Sequence, residues 1–234
     1  MLNVRPVVHI LGWIACALAM ILCLPAVIDR LYGNPEWEAF AAAGAIAGFL
    51  GLVGVLATKT KGPIQIDIRQ AFLVTMMGWV VVCVLSAIPF LHVGIGFADA
   101  VFESMSAITT TGSTVLVNLD QLPPGILLWR AILQWVGGLG VLAIAILILP
   151  LLRVGGMQIF KIESSDISEE KIFNAVRTVL ALFAIYAGLT VICFVLYQMF
   201  GMTSFDALTH AMTTLSTGGY STHDSSFGYF ADLR

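Results

Sequence analysis

The 234-residue chain is 59% hydrophobic and only 11% charged, with a mean hydropathy of +0.96, which places it outside the balance of a soluble globular domain. Its formal net charge of -3 offers no basic face for nucleic acid, and its charges fall in short stretches between apolar runs. This is the composition of an integral membrane protein.

About twenty residues at helical rise cross a bilayer core, and five stretches qualify: 7–28, 37–57, 70–91, 125–150 and 173–200. The first follows Arg5 and could pass for a signal peptide, but its apolar run continues to Ile28, too long for a cleaved segment. A retained helix is expected. The second has Gly44, Gly48, Gly51 and Gly54 three or four apart, a spacing that lets another helix approach closely. Cys16, Cys23, Cys83 and Cys193 all lie inside apolar runs without metal or redox spacing, and are read as packing residues.

Residues 92–124, between the third and fourth spans, are too polar to cross, yet "FADAVFESMSAI" has helical periodicity. Phe97, Val101, Met105 and Ile108 share one side. Asp99 and Glu103 lie toward its start, where a carboxylate complements the helix dipole, and are read as end-capping charges. After Ile108 come Thr109, Thr110, Thr111, Gly112, Ser113 and Thr114, poor helix formers that include a residue free to take positive φ. The expected element is a re-entrant half-helix. Non-helical backbone at membrane depth survives only where protein buries it or it lines a wet cavity. A dehydrated cation, ringed by main-chain oxygens, is the natural partner for such a segment.

In the fourth span Gly137, Gly138 and Gly140 are again read as packing positions. Trp129 is taken as interfacial, near a helix end, with Trp13, Trp79 and Trp135 buried. The stretch "RVGGMQIFKIESSDISEEKIFNAVRT" then forms the longest connection, an amphipathic run of mixed charge. After the fifth span, Thr203 and Asp206 resemble a capping box, and His210 on the following half-helix is read as packed or hydrogen-bonded.

Lysine and arginine set the orientation. A cytoplasmic N-terminus puts Arg5, Lys59, Lys61, Arg69, Arg153, Lys161, Lys171 and Arg177 on the inner side, against Arg30, Arg130 and Arg234 outside.

The half-helix occurs twice. A shift of 107 residues lays "DAVFESMSAITTTG" (99–112) over "DALTHAMTTLSTGG" (206–219), matching Asp, Ala, Met, Thr and Gly at 99/206, 100/207, 105/212, 110/217 and 112/219. Loop composition alone does not produce such self-similarity. The unit is outer helix, pore half-helix, filter and inner helix, and both copies enter from outside. The expected fold is therefore an all-α polytopic membrane protein built from the repeats found in potassium channels. Its divisions are a two-helix N-terminal domain (1–66), a first pore repeat (67–172) and a second, partial repeat (173–234).

The segments "ITTTGSTVLVNLDQLP", "LQWVGGLGVLAIAILILPLLRVGGMQ" and "STGGYSTHDSSFGYF" resemble the TrkH-type subunits of bacterial Trk potassium uptake systems, within the Trk, Ktr and HKT superfamily. The resemblance implies potassium translocation, with Thr110, Thr111 and Gly112 coordinating K+ in the first filter and Thr217, Gly218 and Gly219 in the second. It implies a homodimer in the lipid of a bacterial inner membrane, partnered by a cytosolic nucleotide-binding regulator of the TrkA type that the 153–178 connection would contact. The family has four repeats, whereas the second inner helix would begin here near residue 232, so the sequence is read as the N-terminal half of such a transporter. A non-conducting scaffold or assembly fragment stands as the alternative. Neither a nucleophile and base pair nor an HExxH motif suggests an enzyme.

Overall fold

The computed structural model describes residues 3–59, 66–152 and 169–230, and among them every regular element is helical. In chain order these are α1 (Arg5–Tyr32), α2 (Trp37–Ala57), α3 (Ile68–Ser86), the single turn α4 (Ile88–Leu91), α5 (Phe97–Ile108), α6 (Pro124–Leu152), α7 (Glu169–Met199) and α8 (Ser204–Leu215). Short 3-10 turns follow at Leu119–Gln121 and Ser226–Phe230. Among the described residues, five helical segments are long and apolar enough to span a membrane: Arg5–Tyr32, Trp37–Ala57, Arg69–Leu91, Pro124–Leu142 and Arg177–Met199. The chain is thus a multi-pass membrane protein, and its exposed Trp13, Met20, Phe49, Leu56, Met76, Leu180 and Val191 suit contact with lipid.

The expected spans hold, with informative differences at their ends. Helix α1 runs past the apolar run to Tyr32, because its stop is Gly33 in the left-handed region (φ 76°), with Gly33 N–H donating to the Arg30 carbonyl. The third span is not one straight helix. Pro89 lacks the N–H that would continue the ladder, and the chain divides into α3 and α4 around Ala87. At the other end of α3, Asp67 and Gln70 form a reciprocal capping box, the Asp67 carboxylate accepting from Gln70 N–H at 2.7 Å.

Helices α1 and α2 pair through their small residues. A Cβ on Gly51 would lie 2.7 Å from the Gly12 carbonyl oxygen and 2.7 Å from Cys16 Sγ, so glycine at both positions lets the backbones touch. Asp29, fully buried near the end of α1, accepts from Gly125 N–H at 2.6 Å and so ties this hairpin to the start of α6.

Helix α6 is the most enclosed of the spans: residues 126 to 134 are all buried within the protein, whereas much of α7 is exposed. Gly137 admits the Ile108 carbonyl at the end of α5, and Gly138 admits the Tyr186 hydroxyl and Ser216. Trp135 Nε1 donates to Thr190 Oγ1 at 3.0 Å, joining α6 to α7. Two tryptophan expectations are corrected. Trp129 is fully buried, donating to the Ser86 carbonyl at 3.1 Å and packing edge-on against Phe40, because the turn of helix that contains it lies under the α1–α2 hairpin. Trp13 is 59% exposed, its indole Nε1 donating to His9 Nε2 at 3.2 Å one turn back on α1. The cysteines are free, and Cys83 is buried while Cys23 is exposed.

Residues 153–168 of the 153–178 connection, with Arg153 and Lys161, lie outside the described residues, as do Lys61 and Arg234.

Candidate functional site

Each short helix, α5 and α8, ends in a non-helical segment that passes beside α6. Three backbone hydrogen bonds recur at the 107-residue shift. Thr109 N–H donates to Met105 O and Ser216 N–H to Met212 O; Thr110 N–H donates to Ala107 O and Thr217 N–H to Thr214 O; Thr111 N–H donates to Ser106 O and Gly218 N–H to Thr213 O. The dihedrals repeat as well. Thr110 (φ 57°) and Gly112 (φ 79°) adopt the left-handed region in the first segment, Thr217 (φ 59°) and Gly219 (φ 76°) in the second. Glycine reaches that region at no steric cost. A β-branched threonine does not, and each such residue carries roughly 1–3 kcal/mol of strain that the surroundings must hold in place. Left-handed residues alternating with others reverse the peptide planes along a segment, so that neighbouring carbonyls do not follow a helical or extended course.

The surroundings that hold this backbone are polar, buried and concentrated behind the first segment. Glu103 is fully buried on α5. Its carboxylate accepts from Thr114 Oγ1 at 2.9 Å, from Val115 N–H at 3.0 Å and from Arg130 Nε at 2.8 Å. The expectation that Glu103 is an end-capping charge is therefore corrected: it lies mid-helix, facing the protein, and serves the returning segment. Asp99, in the first turn and exposed, remains suited to the dipole. The apolar residues of α5 divide: Ile108 is buried and Val101 and Met105 are half-buried against the core, while Phe97 is 66% exposed. Ala100, Glu103, Ser104 and Ala107 also face inward, the polar side chains among them finding their partners within the protein.

Behind the second segment, His210 occupies the position equivalent to Glu103. Its Nδ1 lies 2.8 Å from the Asp206 carbonyl, which can only accept, so Nδ1 carries the proton and Nε2 accepts from Ser221 Oγ at 3.0 Å. Ser221 is the counterpart of Thr114, so both half-helices fasten their returning segments by the same pair of positions. Thr203 caps α8 by accepting from Asp206 N–H at 3.1 Å, and its hydroxyl donates to Asp206 Oδ2 at 2.7 Å.

The two segments are also joined to each other. A Cβ on Gly112 would collide with the Gly218 carbonyl oxygen, so these glycines meet backbone to backbone. Tyr220 OH donates to the Ser113 carbonyl at 2.9 Å, and that same oxygen accepts from Ser106 Oγ at 2.6 Å. Farther along, His223 Nδ1 contacts Asp120 Oδ1, and its ring stacks on Tyr229 at 3.6 Å. That contact holds the exposed Asp120 carboxyl below the ordinary carboxylate range. Of the six residues expected to form the site, Gly112 and Gly218 meet directly.

Sequence reasoning missed Arg130, Gln134 and Tyr220. Arg130 was counted as an outer topological charge, yet it is 1% exposed. The signal that finds it is an ionisable residue inside an apolar span, with a polar one a helical turn further on.

Comparison with known proteins is consistent over nearly the whole chain. Residues 37–233 match the family profile of the TrkH cation transport proteins. The Trk system potassium uptake protein TrkI of Halomonas elongata is 37% identical over 97% of this chain and 46% of its own length. The Trk system potassium uptake protein TrkH of Vibrio parahaemolyticus is 36% identical over 97% of this chain and 47% of its own. The crystal structure of the potassium transporter TrkH from Vibrio parahaemolyticus superposes with a TM-score of 0.87 at 34% identity, covering 98% of this chain and 47% of that one. The chain spans about half the length of the curated relatives it matches.

Proposed function

The chain belongs to the TrkH family of cation transport proteins, and on that premise we propose that it takes part in potassium uptake across a bacterial inner membrane, with its N-terminus in the cytoplasm. The ion is cargo. Thr110, Thr111 and Gly112 from the first segment, with Thr217, Gly218 and Gly219 from the second, supply part of the ring of main-chain oxygens that replaces its hydration shell. Residues 1–66 form an N-terminal two-helix domain, 67–172 a first pore repeat and 173–234 the beginning of a second.

One observation carries this reading: the strained left-handed threonines Thr110 and Thr217 recur at equivalent positions, each followed two residues later by a left-handed glycine. A packed loop has no use for the same costly dihedrals twice, whereas carbonyls aimed at a shared axis require such alternation. Gly112 meets the carbonyl of Gly218 in the next repeat, whereas a Cβ on Gly219 would have no described atom within 4 Å. In a closed ring a further repeat stands against Gly219 as the second stands against the first. The working assembly is a homodimer in membrane lipid, regulated by a cytosolic nucleotide-binding subunit of the TrkA type. Nothing in this reading calls for enzymatic chemistry.

Rubidium uptake tests it. Gly112→Asp or Gly219→Asp, introduced in the complete transporter, abolishes uptake while membrane insertion persists. Unchanged uptake in both variants would favour a non-conducting scaffold instead.

A further inference from the structure

Arg130 and Gln134 lie four residues apart on α6, so their side chains leave the same face one turn from each other. Both are buried, at 1% and 0% exposure, in a helix otherwise rich in apolar residues. Arg130 divides its fork between the two segments: Nε donates to Glu103 Oε1 at 2.8 Å, and Nη1 donates to the Ser221 carbonyl at 2.9 Å. Its guanidinium also lies 4.0 Å from the Tyr220 ring centroid. Glu103 in turn holds Thr114 and Val115, so a single cation reaches both segments, the first through a carboxylate and the second directly.

Gln134 acts one turn deeper. Its Oε1 accepts from Tyr220 N–H at 3.2 Å, and its amide stands so close to Gly218 that no Cβ fits between them. Its Nε2 has no hydrogen-bond partner among the described residues. An orphaned buried donor costs about 1–3 kcal/mol, which an apolar residue of similar volume would avoid. Burying a guanidinium also carries a desolvation penalty that partners only offset. Stability alone does not account for two such costs on one face of one helix. Fixing the distance between two backbones does.

We propose that the Arg130–Gln134 ladder sets the spacing of the two segments and thereby the preference of the pore among monovalent cations. Arg130 and Gln134 are positioning residues; they act through Glu103, Ser221, Tyr220 and Gly218, and do not touch the ion. The inference rests on the transport reading above. Whether discrimination arises from cavity size or from the field of the carbonyls, it depends on how far apart the segments are held.

The test measures rubidium and sodium fluxes side by side in proteoliposomes containing the complete transporter. Arg130→Lys keeps the charge but replaces a planar fork with a single ammonium, which cannot serve Glu103 and Ser221 in the same geometry. Gln134→Met keeps the volume and removes the acceptor for Tyr220 N–H. In both variants rubidium flux persists, sodium flux rises, and the rubidium-to-sodium ratio falls by about tenfold. Fluxes of both ions that fall together at an unchanged ratio would reduce the ladder to a structural role and overturn the inference alone. Unmodified protein that passes neither ion overturns the transport reading and this inference with it. Should Arg130→Lys fail to accumulate in the membrane, the uncharged substitution Gln134→Met decides the question by itself.

Discussion

Gly112 and Gly218 meet backbone to backbone: a Cβ on the former would strike the carbonyl oxygen of the latter. Gly112 is also left-handed, so alanine there meets both a collision and an unfavourable dihedral. Gly219 shares the dihedral but has no described neighbour within 4 Å of its missing Cβ. In the chain by itself, Gly112→Ala therefore destabilises more than Gly219→Ala, whose cost is limited to about 1 kcal/mol of backbone strain. In the complete transporter the two converge, both suppressing rubidium uptake. Thermal unfolding of the purified chain and uptake in cells separate the two circumstances.

Tyr220 spans the two segments, its hydroxyl 2.9 Å from the Ser113 carbonyl. Tyr220→Phe removes the bond while keeping the ring beneath Arg130. Because Ser106 continues to satisfy Ser113, the expected loss is about 1 kcal/mol, the net worth of one hydrogen bond rather than that of an orphaned carbonyl. A larger drop in the unfolding midpoint for the double variant Tyr220→Phe, Ser106→Ala than for the sum of the single ones would show the shared acceptor.

The glycines of α2 are not equivalent. At Gly51 a side chain would press on backbone atoms of α1 at 2.7 and 2.8 Å, whereas at Gly48 a Cβ would lie 3.5 Å from Ala19 Cβ, an ordinary contact. Gly51→Val is expected to cost about 3 kcal/mol or more through overpacking against backbone that cannot move aside. Gly48→Ala is expected to be neutral or slightly stabilising, since alanine is the better helix former by about 1 kcal/mol. Yields of folded, monodisperse protein in detergent distinguish the two.

Asp120 and His223 join the outer ends of the two segments. The contact lowers the Asp120 carboxyl from its ordinary value of 3.8. A carboxyl whose folded value is depressed contributes stability above its unfolded value and loses it as pH falls through the folded one. Unmodified protein is therefore more stable than Asp120→Asn at neutral pH, and the difference closes as pH falls below 3.8. A difference in unfolding midpoint that widens as pH falls below 3.8 would contradict this assignment.

Much of the architecture is legible along the chain because lipid makes harsh demands on sequence. Apolar runs of spanning length announce α1, α2, α3, α6 and α7, and the break after Ile108 announces the end of α5. The 107-residue repeat predicts that Thr110 and Thr217 share an environment, and their φ angles of 57° and 59° agree. The same habit of reading misplaced other residues. The helix dipole assigned Glu103 an end-capping role and the topological count placed Arg130 outside, because along the sequence a charge is weighed only by its distance from a helix end. In the structure both are buried within the protein and pair with each other.

By itself, then, the sequence determined the class of solvent, the number and order of spans, the two re-entrant turns and the family, since each is written in local composition or in self-similarity. Only the tertiary structure decided what steadies those turns. Glu103, Arg130, Gln134 and Tyr220 come from three separate parts of the chain and pair only after α5, α6 and the second segment have packed. The physical reason is that a buried polar side chain is satisfied by partners in space, whatever their distance along the sequence.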